Sequence, residues 1–383
     1  MFTRKRDGLA KNRKPFPGVV KVLHISSTNR WGGTQQRILI LSKILNNRQI
    51  ETSVALPSGG PFTEKLKNAG IEVIPLEFRG KRDIRNAFLL RKILLEKKIH
   101  ILHVHRSSEH FVGFIAAKCL PPFKVKLVRT KHEDISISGN FLNHILYSRF
   151  TDKIIAVGEE IKQKAVRENF FKPSHIATIH SSVLIDKFNP DIDGGKIRRE
   201  LSISNNTPII GTIGKIHPRK DYVTFLKACI LVKKDFPKAK FLWVGDGSHE
   251  KKAKNFICKA KLQDSVAFLG RREDIPEILA ALDVFVLSSR SEGSPAVLKE
   301  ALLMEKPVVS TDVGAVPEII KHGENGVLVP PERPDKLAAE ITKILRNPYN
   351  REMGEKGRVF IKEKFGEMVL AKKTKKVYLD LLQ

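Results

Sequence analysis

The sequence predicts two doubly wound, Rossmann-like α/β domains facing across a cleft, and three observations predict it. Short apolar runs recur along almost the whole chain. They are apolar throughout rather than alternating, as strands of a parallel sheet covered on both faces are. Between them lie stretches of helical period, so strand–helix alternation repeats through both halves. With 383 residues, at roughly 150 per domain, there is length for two such units, each able to bury its own core.

In the first half, strands are expected at 20–26 (VKVLHIS), 52–56 (TSVAL), 71–76 (IEVIPL), 99–105 (IHILHVH), 124–130 (KVKLVRT), 153–157 (KIIAV) and 175–180 (HIATIH). A helix over 34–46 places Ile38, Leu41 and Leu45 on one face with polar residues opposite. A second, over 81–98, carries Ile84, Phe88 and Leu89 in a strongly basic remainder. It reads either as a surface helix that packs on the sheet and shows its lysines to water, or as one resting on acidic lipid headgroups. Periodicity breaks at 188–200 (FNPDIDGGKIRRE), where Pro190 and two glycines mark a boundary. The second half repeats the alternation, with strands at 208–213, 240–244, 265–269, 283–287, 307–310 and 326–329. The expected organisation is a basic flexible tail over 1–18, domains over 19–190 and 196–365, and a helix over 366–383 that packs back on the first domain.

Composition narrows the function. At 41% hydrophobic and 29% charged residues the chain is an ordinary globular one. Its longest continuous apolar run, Phe111–Ala117, falls far short of a membrane span. The N-terminal MFTRKRDGLAKNRKPFPG is basic without an apolar stretch, so a secretory signal is not expected. Cys119, Cys229 and Cys258 are scattered, which argues against a disulfide framework or thiolate metal site and fits a reducing cytosol. The net charge of +28 is uneven. Residues 1–190 hold 34 Lys and Arg against 15 Asp and Glu, and the remainder holds 35 against 26. That asymmetry points the first half at something anionic: nucleic acid, a membrane surface or a phosphorylated acceptor. A merely lysine-rich solvated surface is the plainer reading.

The chemistry-bearing text begins at 288–300, SSRSEGSPAVLKE, directly after an expected strand. Ser294 and Pro295 read as N-cap and first residue of a helix, and Gly293 lets the backbone approach a ligand. A helix N-terminus with unpaired N–H groups suits a phosphate. Glu292 and Glu300 would repel that phosphate unless they address hydroxyl groups, as a diphosphate flanked by sugars would allow; taken alone, the motif reads first as a helix start with two solvated glutamates. The loop after strand 208–213, GKIHPRK, delivers Lys215, Arg219 and Lys220 to the same rim, where open α/β sheets bind ligands. Cations there neutralise charge developing on a departing phosphate.

These residues resemble glycosyltransferase family 4, the retaining two-domain GT-B enzymes that use nucleotide-activated sugars. The pattern Glu292…Glu300 (E-G-S-P-x-x-x-x-E) carries the resemblance, with VGDG (244–247), DVFVLSS (283–289) and GAVPEIIKHGENGVLVPP (314–331) around it. It runs from about Val20 to the C-terminus and is densest over 208–331. The resemblance implies that 19–190 binds the acceptor and 196–365 the nucleotide-sugar, that Lys215 and Lys220 bind the diphosphate, that Glu300 binds the ribose hydroxyls and that Glu292 contacts the donor sugar. Arg219 and Ser294 join this donor set. In the first domain, the turn Asn29-Arg30-Trp31-Gly32-Gly33-Thr34-Gln35 lacks G-x-G-x-x-G, so a dinucleotide site is not expected there. The resemblance implies that Gly32 and Gly33 approach the donor. It likewise places His105, second histidine of the H-x-H at 103–105, in the active site with Glu292 and Lys220 as the catalytic set, while His132 is a further acceptor-side candidate.

Two departures from the family pattern stand out. Lys215 occupies a position where the family often has Arg, keeping the charge and losing the fork. The inter-domain N-G-V-D reads Ser181-Ser182-Val183-Leu184. Asp191-Ile192-Asp193 spells D-x-D, but in the linker rather than at a strand end facing a nucleotide, so it reads as solvated loop charge. No metal and no cofactor beyond the co-substrate are expected. The basic first half then suggests an anionic glycolipid or glycan acceptor, as in bacterial lipopolysaccharide or another surface glycan, with peripheral attachment at the cytosolic face of the inner membrane. A nucleic-acid-binding α/β protein is the alternative from another class, although helix-turn-helix, zinc-finger and RNP-like patterns are missing and aromatics make up 7%. A sugar-nucleotide epimerase of the same fold is a second alternative.

Overall fold

The computed structural model describes residues 18–47, 49–78, 80, 83–119, 125–132, 144–167, 172–347 and 351–383. The tail expected over 1–18 lies outside them apart from Gly18. Each half is a parallel sheet sandwiched by helices. The first sheet comprises β1 (Val20–Ile25), β2 (Ile50–Leu56), β3 (Glu72–Pro75), β4 (Ile101–Val104), β5 (Lys126–Lys131), β6 (Lys153–Ala156) and β7 (Ile176–Thr178), in the order β3-β2-β1-β4-β5-β6-β7. The second comprises β8 (Ile209–Ile213), β9 (Lys240–Val244), β10 (Val266–Gly270), β11 (Val284–Leu287), β12 (Val308–Thr311) and β13 (Val327–Val329), in the order β10-β9-β8-β11-β12-β13. Each strand expected from the sequence is present, and the architecture is the expected pair of Rossmann-like domains.

Burial explains why the strands are apolar on both faces. In β1, Val20 and Val22 pack under helix Gly33–Leu45, while Leu23 and Ile25 pack under helices Ile84–Glu96 and Ser107–Lys118. In the second sheet Phe241 and Trp243 face one helical layer and Leu242 the other.

Topology then fixes where ligands bind. Strand order reverses between β1 and β4 and again between β8 and β11, and the crevice beyond the carboxyl ends at such a switch point is the ligand site of an open α/β sheet. The loops there carry Gly32–Gly33 and His105 in one domain, and Lys215–Lys220 and Glu292–Ser294 in the other.

The two halves are joined twice. Val183 bridges Gly366 and its N–H donates to Phe365 O at 3.4 Å, so the outgoing and returning crossings run side by side. Helix Glu367–Leu382 then lies against helix Gly33–Leu45 of the first domain, with Tyr378 fully buried. Helix Gly33–Leu45 departs from expectation here. Ile38, Leu41 and Leu45 are buried, but so are Gln35, Arg37 and Ser42, because the returning helix covers the side read as solvent-facing.

Candidate functional site

The rim of the second domain is assembled by backbone contacts that only glycine permits. The loop after β8 meets the loop after β9 through Ile216 N–H to Asp246 O, 2.9 Å. A Cβ on Gly247 would lie 2.2 Å from Ile216 O, and one on Gly245 (φ +127°) 2.3 Å from Gly214 O. This packing presents Lys215, Arg219 and Lys220. Lys215 and Arg219 are exposed. Lys220 reaches inward and pairs with Glu292 Oε1 at 2.5 Å, an oxygen that also accepts from Ser289 Oγ. The expected repulsion between Glu292 and an arriving phosphate is thus relieved by a lysine. The Glu292 side chain is only 6% exposed. Arg290 N–H donates to Arg219 O at 2.8 Å, which ties the two loops together.

Helix Ala296–Leu303 begins two residues beyond Ser294. This corrects the capping assignment: Pro295, extended at ψ 114°, holds the N-cap position, and no side chain caps the helix. The first N–H groups are therefore open to a ligand. The Ser294 hydroxyl instead accepts from Lys299 Nζ at 3.0 Å.

In the sequence Lys299 reads as surface charge on a helix. It is wholly buried, donates to Ser181 O at the outgoing crossing, and lies 5.4 Å from the Phe365 ring centroid at the returning one. Burial, with Arg37 nearby, pushes it down to about 7. The adjacent Glu300 is pushed up to about 7 by loss of solvent, against the pull of Lys187 and Lys299.

In the first domain, the two loops at the switch point share one carboxylate. Glu109, fully buried, accepts the backbone N–H groups of His105 and Arg106 at 2.8 Å, and the backbone N–H and hydroxyl of Ser27 at 2.7 and 2.9 Å. Helix Gly33–Leu45 starts without a side-chain cap, and a Cβ on Gly33 would meet open space.

His105 is buried at its strand end, 3% exposed. Its Nε2 lies 3.2 Å from His24 Nδ1 and its Nδ1 3.2 Å from His132 Nε2, so His132 is the half-buried outer end of a three-ring chain. Burial, followed by the neighbouring imidazoles and Arg37, holds His105 well below the ordinary histidine range, so the ring is neutral at pH 7. His103 bonds Tyr378 Oη and Thr130 Oγ1, at 2.6 and 2.7 Å.

The domains meet directly beside the helix start. A Cβ on Gly158, after β6, would lie 2.8 Å from Ala315 Cβ and 3.2 Å from Gly293 O. Glu318 accepts the Glu159 N–H at 2.8 Å and bonds His180 Nε2 at 2.5 Å. Ser181 is held from both sides, by Lys299 from the second domain and by Arg37 Nη1 at 3.3 Å from the first. Arg37 is buried with Nε and Nη2 unpartnered, and lies low, at about 10, through burial.

Among the described residues one group has metal-ligand spacing: nitrogens of His24, His103 and His105 within 4.8 Å of one another. The donor set is poorly suited to a cation. Both His103 and His105 nitrogens are already engaged, no carboxylate joins them, and Arg37 imposes positive potential on all three. Asp191 and Asp193 of the D-x-D are loop residues. Asp193 Oδ1 accepts the Gly195 N–H at 2.7 Å and its side chain is exposed.

Comparison with known proteins bears on the family and the fold. The model of the Glycosyltransferase Family 4 matches residues 31–187, and that of the glycosyl transferases group 1 matches 193–360. An Escherichia coli UDP-Gal:alpha-D-GlcNAc-diphosphoundecaprenol alpha-1,3-galactosyltransferase is 26% identical, covering 95% of this chain and 97% of that protein. A Bacillus anthracis N-acetyl-alpha-D-glucosaminyl L-malate synthase is 27% identical over 79% and 80%. The crystal structure of Anabaena HepE with UDP and glucose superimposes with a TM-score of 0.82 at 20% identity, covering 94% and 99% of the two chains.

Proposed function

Because the chain belongs to glycosyltransferase family 4 and has its GT-B fold, we propose that it transfers a sugar, with retention at the anomeric carbon, from a UDP-linked donor to a hydroxyl of a lipid-linked glycan. The observation that carries the reading is the Lys220–Glu292 pair beside the uncapped start of helix Ala296–Leu303, at the switch point of the second sheet. A diphosphate at that helix start takes the open N–H groups and the Lys215 and Lys220 charges. Glu300 addresses the ribose hydroxyls and Glu292 the sugar. As the glycosidic C–O bond breaks, its electron pair leaves with the diphosphate, whose charge those cations absorb. The acceptor oxygen bonds the anomeric carbon from the same face, and its proton passes to the departing phosphate oxygen. No metal is required in this scheme, since the cations and helix terminus do its work. His105, neutral and held by its neighbours, orients the sugar from the opposite wall.

The relative aligned over nearly the full length of both chains is named for a diphosphoundecaprenol acceptor. The excess of cations in residues 1–190 suits such a phosphorylated lipid. This supports synthesis of a bacterial cell-surface glycan such as lipopolysaccharide, at the cytosolic face of the membrane. Among the described residues no helix is long and apolar enough to cross it.

The test is a thermal-shift panel of UDP-, GDP- and ADP-sugars. A ligand well above its dissociation constant raises apparent stability, and the UDP-sugars are expected to do so whether or not EDTA is present. Glu300 gives the panel a pH signature. With its carboxyl pushed up to about 7, the charged form that accepts hydroxyl hydrogen bonds accumulates as pH rises through 7. The UDP-sugar shift, referred to ligand-free protein at each pH, should therefore grow from about pH 6 to 8 and flatten in Glu300→Gln. Equal shifts with all three bases, or a shift abolished by EDTA, would refute the donor site described.

A further inference from the structure

Helix Ile84–Glu96 does not behave as a helix that packs its apolar residues on the sheet. Ile84 is 55% exposed, Phe88 58%, Leu89 47% and Leu95 44%. Among the described residues, half of the large apolar side chains standing out in solvent belong to this one helix. Its core face is made instead by Ala87, Leu90 and Leu94, packed against Leu102 and Val104 of β4. Large apolar side chains left in solvent and concentrated on one helix mark an interaction surface.

We infer that this face of helix Ile84–Glu96 is the membrane-docking surface, seating Ile84, Phe88, Leu89 and Leu95 in the interface of an anionic lipid leaflet. The inference rests on the lipid-linked acceptor proposed above. Charge complementarity selects lipid as the occupant. Arg85 and Lys92 project from the same exposed arc, between the apolar side chains, as on helices that lie in a headgroup plane. Segment 81–98 holds seven Lys and Arg against two Asp and Glu, and cations close to an anionic leaflet bind it while those farther than a Debye length do not. Among the described residues Lys92 pairs with Glu96 at 3.7 Å, an exposed i,i+4 pair worth little, so it can turn to headgroups.

Position adds a reason. The helix connects parallel strands β3 and β4, so it runs antiparallel to them and its N-terminal turns lie toward their carboxyl ends. Ile84, Phe88 and Leu89 therefore stand on the edge of the rim that carries His105. A lipid-linked acceptor could enter the cleft from that edge without leaving the bilayer surface.

Sedimentation with vesicles of phosphatidylglycerol and phosphatidylethanolamine, against vesicles of phosphatidylcholine, tests this at about 0.1 M salt, where the Debye length is about 10 Å. Wild-type protein should pellet with the anionic vesicles. Phe88→Glu/Leu89→Glu should lower the vesicle partition coefficient by about tenfold or more. Arg85→Ser/Lys92→Ser should erase the preference for anionic over neutral vesicles. Because these side chains are exposed and away from the nucleotide site, all three proteins should keep the same UDP-sugar thermal shift. Equal pelleting of wild type and the Glu variant, or no pelleting of wild type, would overturn the inference. So would a dimer that dissociates in the Glu variant without vesicle binding, since a second copy would then be the occupant. Loss of the nucleotide shift in every protein would instead sink the transferase reading, whatever the vesicles do.

Discussion

Lys220→Ala is expected to lower kcat/KM for sugar transfer by roughly 10²–10³-fold, the range typical of removing one preorganised stabilising group, about 2.7–4 kcal/mol. Lys220 supplies the positive charge closest to Glu292 at the helix start, so its removal is felt as the diphosphate leaves. Most of the loss should fall on kcat, because an interaction that strengthens in the transition state lowers kcat and kcat/KM together. The substitution has a second consequence. It leaves the 6% exposed Glu292 side chain without its ion-pair partner, which in a buried pair costs about 3–5 kcal/mol. The double variant Lys220→Ala/Glu292→Gln separates the two effects. It should recover thermal stability relative to Lys220→Ala while remaining inactive. Activity above a tenth of wild type in Lys220→Ala would show that the diphosphate is neutralised elsewhere.

Gly314→Ala should be almost as damaging, although Gly314 touches no substrate in this account. Its backbone sits at φ +56°, and an added Cβ would stand 1.8 Å from Glu292 O and 3.1 Å from Glu292 N. The left-handed conformation alone costs an L-residue about 1–2 kcal/mol. The contact cannot be relieved by a side-chain rotation, because the opposing atoms are backbone, so the 288–294 loop must move. That loop aims Glu292 at Lys220 and sets the start of the helix. Displacing reacting groups by about 1 Å can cost ~10²-fold in rate, and a fall of that order is expected with a lowered melting temperature. Gly270→Ala is the control: its φ is +62° but nothing lies within 4 Å of an added Cβ. It should share the backbone strain and keep most of the activity. Wild-type turnover in Gly314→Ala would mean that the loop is not held where activity needs it.

The strands and the switch-point loops could be read from the sequence because both follow from local pattern. Fully apolar runs such as KFLWV at 240–244 announce two covered faces, and glycine-bearing segments at strand ends announce tight turns. Such a turn and a helix start point to Lys220 and Glu292. What stayed hidden depends on contacts between residues far apart in sequence. Lys299 looks like a solvated lysine until the two inter-domain crossings close over it through Ser181 and Phe365. Arg37 belongs to a polar face that helix Glu367–Leu382, more than 300 residues later, covers. His105 carries the right residue type at the right strand end, yet His24 and His132, brought in by β1 and by the segment after β5, engage both of its ring nitrogens. Helix Ile84–Glu96 shows the converse: periodicity located the helix, but small Ala87 with Leu90 and Leu94 turned inward and left Phe88 out.

These features combine into one arrangement. Two switch-point crevices oppose each other, with cations and an open helix start on one side and a neutral histidine chain on the other. Glu318, Lys299 and Arg37 tie the halves together through Glu159, His180 and Ser181.

The central claim, retaining transfer from a UDP-sugar to a lipid-linked acceptor, is tested most directly by incubating the protein with UDP-hexoses and GlcNAc-diphosphopolyprenol in the presence of EDTA. The anomeric proton coupling of the product is then measured by NMR, with L-malate as a competing acceptor. The account predicts an α-linked disaccharide on the lipid, formed at the same rate with and without EDTA. A β-linked product, a covalent sugar trapped on Glu292, or transfer to malate while the lipid stays unmodified would contradict it.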